Sequence, residues 1–266
     1  MIIRCLSLLL LVLSMTVVRA EQSTAIASAT ATPAGFDLAL QFSDYLYDEP
    51  TVAVYLDGRQ LGLRGAYTHE LDGERFARVD LRAAYGAITY HGTGTAKRQP
   101  NFIVETRYVL GHDFFPGESL GLAPFVGIGY RFLYNDLRGL TSTGAAGYRR
   151  HSHYLYLPLG LTARFVTAGG WIVAPTLEYD HFLRGRQYSH LSDTGIPGFV
   201  DVVNTQRDGH GYRASLQFEK GTLSFGPWVH IWRIADSDTV RFSPTMVGRE
   251  PENNTREIGI EFISRF

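Results

Sequence analysis

Apolar and polar residues alternate along most of the sequence after residue 35. In 155–165 every second residue is apolar, and the residues between them include Tyr156, Pro158 and Arg164. Residues 77–85 and 126–132 alternate in the same way. Successive side chains of a β-strand point to opposite faces, so this pattern predicts strands with one apolar and one polar face.

Short turn signals divide the alternating segments at intervals of roughly 45 to 50 residues. They are Asp72-Gly73, Pro116-Gly117, Ala168-Gly169-Gly170 and Lys220-Gly221. Longer polar segments lie midway between them, at 91–100, 135–150, 185–209 and 236–254. This spacing predicts ten strands, near 36–47, 61–70, 75–90, 101–114, 121–135, 151–166, 171–183, 210–219, 222–235 and 255–266. Residues 52–56 fit either a loop hairpin or an extension of a neighbouring strand.

The first twenty residues have the features of a cleaved signal peptide. Arg4 precedes a nearly continuous apolar run over 5–18, and the small residues Val18 and Ala20 precede a cleavage point before Glu21. Cys5 would be removed with this segment, so the mature chain would contain no disulfide and no thiolate nucleophile. Residues 21–35 are small and polar without a period, which predicts a flexible periplasmic lead-in.

The last nine residues alternate without a break, and Phe266 is the final residue of the sequence. They resemble the C-terminal signal of bacterial outer-membrane β-barrels, in which a terminal Phe and an aromatic residue at the position of Phe262 are typical. Ser264 departs from that pattern, because the family often has a second aromatic there. By this resemblance the residues read by the assembly machinery are Ile258, Ile260, Phe262 and Phe266.

The whole mature chain is similar to the outer-membrane β-barrel superfamily of Gram-negative bacteria, in the size range of opacity-type and omptin-type barrels. The resemblance implies an all-β, transmembrane, antiparallel up-and-down barrel over 36–266, integral to the outer membrane. Ten strands are expected, with eight or twelve as alternatives, and a periplasmic β-sandwich is the alternative fold. Aromatic residues near strand ends are expected to form interfacial girdles: Tyr45, Tyr47, Tyr130, Tyr134, Trp171 and Tyr179.

The inward positions of the predicted strands carry many charges of both signs. They are Asp37, Arg64, Arg78, Asp80, Arg82, Glu105, Arg107, Arg131, Arg164, Glu178, Asp180, Arg213, Glu219, Glu261 and Arg265. In a narrow barrel these side chains should pair across the lumen and largely close it. This predicts a structural or interaction protein of the outer membrane. A narrow porin-like channel for small polar or ionic solutes is the alternative.

A hydrolase acting on peptides or lipid A at the rim is a third hypothesis. Omptin-type proteases use carboxylates and a His-containing pair, and Glu178, Asp180 and His181 lie near a predicted outer strand end. Asp180 and His181 are adjacent, however, so a regular strand would point them to opposite faces. His151 and His153 share a face, but a metal site would need a third ligand that the nearby sequence does not supply. We therefore predict no catalytic residues, no metal and no cofactor.

Several cations lie at or beyond the predicted outer strand ends, close to tyrosines. Arginine and lysine at that level could bind the phosphates of lipopolysaccharide. The residues are Lys97, Arg98, Arg138, Arg149, Arg150, Arg184 and Arg186. The long segment 185–209 could also bind an extracellular ligand or partner. The formal net charge of −1 gives no basic excess, so nucleic acid is not an expected partner.

Overall fold

The computed structural model describes residues 29–117 and 119–266, and within them the chain forms a closed antiparallel barrel of ten strands. The predicted signal peptide lies outside the described residues. The strands are β1 Gly35–Glu49, β2 Val54–Glu70, β3 Arg75–Gly92, β4 Gly94–His112, β5 Phe114–Gly117, β6 Leu120–Leu140, β7 Ala146–Val166, β8 Ile172–Ser189, β9 Val202–Gln206, β10 Gly209–Lys220, β11 Leu223–Ile234, β12 Val240–Arg241, β13 Val247–Gly248 and β14 Asn253–Arg265. A 3₁₀ helix spans Leu191–Thr194. No helix in the described ranges is long and apolar enough to cross a membrane.

Each barrel strand pairs with its neighbours in sequence, and β1 closes the barrel against β14. The short strand β5 follows β4 and pairs with β6, as β4 does. Strands β9 and β10 both pair with β8 and act as two parts of one long strand. The hairpin β12–β13 stands outside the barrel. The predicted ten strands and up-and-down order are therefore confirmed, and β2 begins at Val54, which makes most of 52–56 part of that strand.

Side chains alternate between an exposed apolar face and a buried polar face, as the sequence pattern predicts. On β7 Leu159 is 59% exposed while Tyr156 is fully buried, and on β14 Ile258 is 48% exposed while Glu257 is fully buried. The residues predicted to form the assembly signal, Ile258, Ile260, Phe262 and Phe266, all lie on the exposed face. The apolar face of each strand therefore points outward and the polar face fills the interior, the arrangement of a barrel surrounded by lipid.

The two ends of the barrel differ, and we refer to them by their connections. At the turn end, β2 joins β3, β7 joins β8 and β10 joins β11 through short turns. At the loop end the predicted loop 91–100 is wrong, because β3 and β4 continue through it and only Thr93 lies between them. Likewise β6 and β7 leave only 141–145 between them. Their polar residues still form ladder hydrogen bonds beyond the apolar band, so polarity alone does not mark a loop.

Two of the predicted girdle aromatics are wrong. Tyr45 and Tyr47 are 2% and 3% exposed and pack inside the barrel. They are odd-numbered residues of β1, whereas the outward residues Phe36 to Phe42 are even-numbered. Tyr130, Trp171 and Tyr179 do lie on the outer surface, each more than a third exposed, and Tyr134 is on the same face and half-buried.

The described end of the lead-in, residues 29–34, contacts the barrel at the turn end. The Thr32 backbone N–H donates to Asp113 Oδ2 at 3.0 Å, and its hydroxyl donates to Asp113 Oδ1 at 2.8 Å. Thr30 is 1% exposed. A Cβ on Gly121 would lie 2.4 Å from the Thr30 carbonyl oxygen, so this contact requires glycine at residue 121. This part of the lead-in is therefore held against the barrel, not free as the sequence pattern indicates.

Candidate functional site inside the barrel

A network of charged side chains crosses the lumen. Within this network, as far as the described residues show, eight arginines and eight carboxylates each form at least one ion pair, so the formal charges of the network cancel. The arginines are Arg64, Arg78, Arg82, Arg107, Arg131, Arg164, Arg213 and Arg265, and the carboxylates are Asp37, Asp80, Glu105, Glu178, Asp180, Glu219, Glu257 and Glu261. We call this set the interior charge network. It contains every inward charge that the sequence indicates, together with Glu257.

At the turn end the network joins distant strands. Arg265 Nε donates to Asp37 Oδ1 at 2.8 Å, and Arg78 Nη1 donates to the other Asp37 oxygen at 3.2 Å. Arg164 forms a two-pronged pair with Glu219, at 2.9 and 2.6 Å. Paired planar groups of this kind hold both partners in a fixed geometry, which ties β7 to β10.

In the middle of the barrel two carboxylates, Asp80 and Glu178, each contact more than one arginine. Asp80 lies within 3.4 Å of Arg64, Arg78 and Arg107. Arg107 also donates to both oxygens of Glu178, at 2.6 and 2.7 Å.

Arg213 continues the network across the lumen. Its Nε donates to Asp180 Oδ2 at 2.6 Å, and its terminal nitrogens donate to Glu105. The Tyr156 hydroxyl donates to Glu105 at 2.6 Å. Burying a charge costs desolvation free energy, and attraction to several oppositely charged partners offsets that cost.

Toward the loop end, Glu257 links two further arginines, and apolar residues pack near them. Arg82 Nη2 donates to Glu257 Oε2 at 2.5 Å and Arg131 Nη2 donates to Oε1 at 3.0 Å. Two buried clusters pack near this level: Tyr45, Tyr47, Leu56, Ala84, Ile88, Ile103, Leu133 and Leu137 in one, and Tyr154, Tyr156, Phe182, Trp232 and Ile234 in the other. A cavity of about 220 Å³ lies between Thr32 at the turn end and Trp228 in the interior.

A separate charged cluster lies at the loop end. Arg150 Nη1 lies 2.6 Å from Glu49 Oε1 and 3.5 Å from Glu250 Oε1. The Tyr47 hydroxyl donates to both carboxylates, at 2.7 and 3.3 Å. Glu250 comes from the segment between β13 and β14 and is only 6% exposed, so this segment is anchored inside the mouth of the barrel.

The docking of the Glu250 segment is expected to depend on pH. Burial raises the pKa of Glu250 to about 7, repulsion from Glu49 adds to this, and attraction to Arg150 opposes it. Among the described residues, Tyr47, Tyr148 and Tyr154 are the other titratable groups that interact with this carboxyl. Between the ordinary pKa of 4.5 and about 7, the docked state keeps a proton that the undocked state releases. Docking is therefore strongest at low pH and weakens as the pH rises through about 7.

Amide hydrogen exchange at Ser237 and Glu250 measures this docking, because the Ser237 N–H donates to the Glu250 carbonyl and the Glu250 N–H to Ser237 Oγ. After correction for intrinsic exchange, protection should fall several-fold from pH 6 to pH 8. Glu250→Gln, which keeps the neutral form, should hold its protection across that range. Equal behaviour of the two proteins would contradict the prediction.

No family model and no curated protein sequence matches this chain. Among solved structures, the outer-membrane protease OmpT from Escherichia coli is similar, with a TM-score of 0.61, 11% identity, and coverage of 88% of this chain and 98% of that one. The β domain of the Bordetella autotransporter BrkA has a TM-score of 0.44 at 13% identity, with coverage of 88% and 100%. This chain has the fold of an outer-membrane β-barrel. With its outward apolar face, that fold makes it an integral protein of the outer membrane.

The residues considered for hydrolysis do not meet at the rim. Glu178 and Asp180 lie in the middle of the barrel, because β8 continues to Ser189 and does not end near residue 183 as predicted. Asp180 is fully buried, whereas His181 is exposed on the outer face.

Of the cations expected to contact lipopolysaccharide, most lie on the outer surface of the loop end. Lys97, Arg98, Arg184 and Arg186 are exposed. Arg138 pairs with Asp136, and Arg149 forms a two-pronged pair with Asp193 at 2.8 Å for both bonds. The prediction for Arg150 is wrong: it is 5% exposed and points inward. It shares the inner face of β7 with Ser152 and Tyr154, two and four residues further along the strand.

Proposed function

We propose that this outer-membrane barrel has a closed lumen and acts as a structural or interaction protein, not as a channel. The observation that carries the proposal is the interior charge network, in which oppositely charged side chains from opposite walls bond to each other. Arg82 of β3, Arg131 of β6 and Glu257 of β14 meet in this way, and all three are nearly inaccessible to solvent.

Opening a path through this interior would separate charges that are buried together. An ion pair broken in the interior leaves an uncompensated buried charge, at a cost of about 3–5 kcal/mol for each pair. An ion crossing the lumen would have to disrupt several of these contacts and pass the apolar clusters beside them. The network itself lines the cavity of about 220 Å³, which has room for several waters.

The loop end supplies a surface for contacts outside the membrane. The segment after β8 packs on the β12–β13 hairpin, since the Val200 N–H donates to the Phe242 carbonyl at 3.0 Å and the Phe199 and Phe242 rings are 5.2 Å apart. Ile196 and Met246 remain 45% and 47% exposed on these two segments. This exposed apolar surface supports an interaction role with an extracellular ligand, and the outer cations support lipopolysaccharide contact as a further part of the proposal.

A narrow channel is the alternative function, and hydrolysis is a third. OmpT is named a protease, but a likeness at 11% identity speaks for the fold only. The opposite orientations of Asp180 and His181 give hydrolysis no support. We therefore do not assign an enzymatic activity.

Planar-bilayer recording of the purified, refolded chain tests the closed lumen. We expect no discrete conductance steps in high salt, with an open general porin in the same bilayers as the positive control. Stable, ion-selective steps from the wild-type chain would contradict the proposal, above all if Arg131→Ala or Glu105→Ala changed their selectivity. Such a change would place the current inside the lumen and favour the channel.

A further inference from the structure

Two histidine rings face each other on the outer surface at the loop end. His151 lies on β7, and His190 is the first residue after β8. Their nearest ring nitrogens, Nδ1 of His151 and Nε2 of His190, are 3.4 Å apart. The sequence pattern does not reveal this pair, because it depends on the course of the chain after β8.

The contacts of His190 determine which of its nitrogens carries the proton. His190 Nδ1 is 2.8 Å from Asp201 Oδ2, and a carboxylate at neutral pH can only accept a hydrogen bond. The other Asp201 oxygen accepts from Ser192, from its N–H at 3.0 Å and its hydroxyl at 2.6 Å. Asp201 is thus held in place, Nδ1 of His190 donates to it, and Nε2 of His190 accepts a hydrogen bond from Nδ1 of His151. His151 can bind an ion through Nδ1 in its other neutral tautomer, in which the proton lies on Nε2.

This arrangement matches a common feature of metal sites. A ligating histidine usually donates its other ring N–H to a carboxylate, which fixes the ring orientation and makes the free nitrogen more basic. Two nitrogens bound tetrahedrally to Zn²⁺ at about 2.05 Å lie about 3.3 Å apart. The 3.4 Å separation of the two histidine nitrogens fits that distance.

We propose that His151 and His190 bind a divalent transition-metal ion of the Zn²⁺, Cu²⁺ or Ni²⁺ class, with Asp201 orienting His190. Imidazole nitrogens favour these ions, whereas Mg²⁺ and Ca²⁺ favour oxygen ligands. In the described chain, no three His, Cys, Asp or Glu side chains are placed to hold an ion together, so the remaining coordination positions belong to water or a small anion.

The neighbouring rings support the pair without joining it. Tyr188 stacks on His151 with ring centroids 4.5 Å apart and planes 13° from parallel. His153 is next to His151, but its Nδ1 is 2.5 Å from the Tyr130 hydroxyl. A bound ion would connect β7 to the segment 190–201 and so restrain that segment against the barrel.

Isothermal titration of the refolded full chain with Zn²⁺ tests the site, with Mg²⁺ as the comparison ion. We expect one Zn²⁺ per chain with a dissociation constant in the micromolar range and no response to Mg²⁺. His151→Phe keeps an aromatic ring against Tyr188, and His190→Gln keeps a donor for Asp201. Each should weaken binding at least tenfold, and Asp201→Asn should weaken it roughly 10–100-fold.

His91→Asn is the matched control. His91 Nε2 lies 3.0 Å from Asp57 Oδ1, so His91 is also a histidine beside an aspartate near the loop end, but it is outside the pair. Its substitution should leave Zn²⁺ affinity unchanged. The proposal is overturned if the wild-type chain does not bind Zn²⁺ below millimolar concentration. It is equally overturned if folded His151→Phe and His190→Gln, verified by circular dichroism, bind as tightly as His91→Asn does.

Discussion

Glu257→Ala is expected to lower the free energy of unfolding of the barrel by about 3–5 kcal/mol. Glu257 is fully buried and bonds to Arg82 and Arg131, which are 3% and 1% exposed. Among the described residues it is the only carboxylate within ion-pair distance of either arginine. Removing it leaves two guanidinium charges inside the barrel without a counter-charge, and alanine supplies no hydrogen-bond acceptor to replace it.

Denaturant titration of the refolded protein, followed by tryptophan fluorescence, measures this loss. Trp228 and Trp232 lie 5.1 and 5.9 Å from the Arg82 and Arg131 guanidinium carbons, so they report on this region. Asp44→Ala is the control, because Asp44 forms only an exposed pair with Arg59 and its loss should hardly move the midpoint. A Glu257→Ala midpoint close to that of wild type would show that the arginines find other partners.

The number of strands and their inner faces could be predicted from sequence because both follow from a period of two. The apolar positions of a strand mark the face that meets lipid. The residues between them therefore point into the lumen, and so do the charges that they carry. The same parity, applied further along each strand, would have placed Tyr45, Arg150 and Glu257 inside as well. The prediction failed there because it stopped at the end of the apolar band, where aromatic and charged residues are also common on exposed loops.

Other features have no signal in a local pattern. The contact of Glu250 with Arg150 and that of His190 with His151 depend on loop paths, which are set by hydrogen bonds such as those of Asp201 to Ser192. The contact of Thr32 with Asp113 joins residues 81 positions apart. Sequence alternation fixes the face on which a side chain lies, but it does not determine which side chains from separate segments meet.

Gly226→Ala is expected to destabilise the barrel by about 2–3 kcal/mol, although it adds only one methyl group. Gly226 lies on the inner face of β11, where a Cβ would be 1.8 Å from the Leu216 carbonyl oxygen and 3.1 Å from the Gln217 Cα. These are backbone atoms of β10, and Gln217 is also tied to Glu261 by a 2.8 Å hydrogen bond. Relief of the clash therefore requires β10 and β11 to separate.

Gly65→Ala separates this close-approach effect from the general effect of replacing a strand glycine. A Cβ at residue 65 would meet only the Phe36 ring, at 3.6 Å, which is an ordinary contact. Because alanine loses less conformational entropy than glycine on folding, Gly65→Ala should be neutral or slightly stabilising. In the same denaturant titration, the unfolding midpoints of Gly226→Ala and Gly65→Ala should therefore shift from that of wild type in different directions or by clearly different amounts. If both variants unfolded at the wild-type midpoint, β10 and β11 would not approach as closely at Gly226 as the structure indicates.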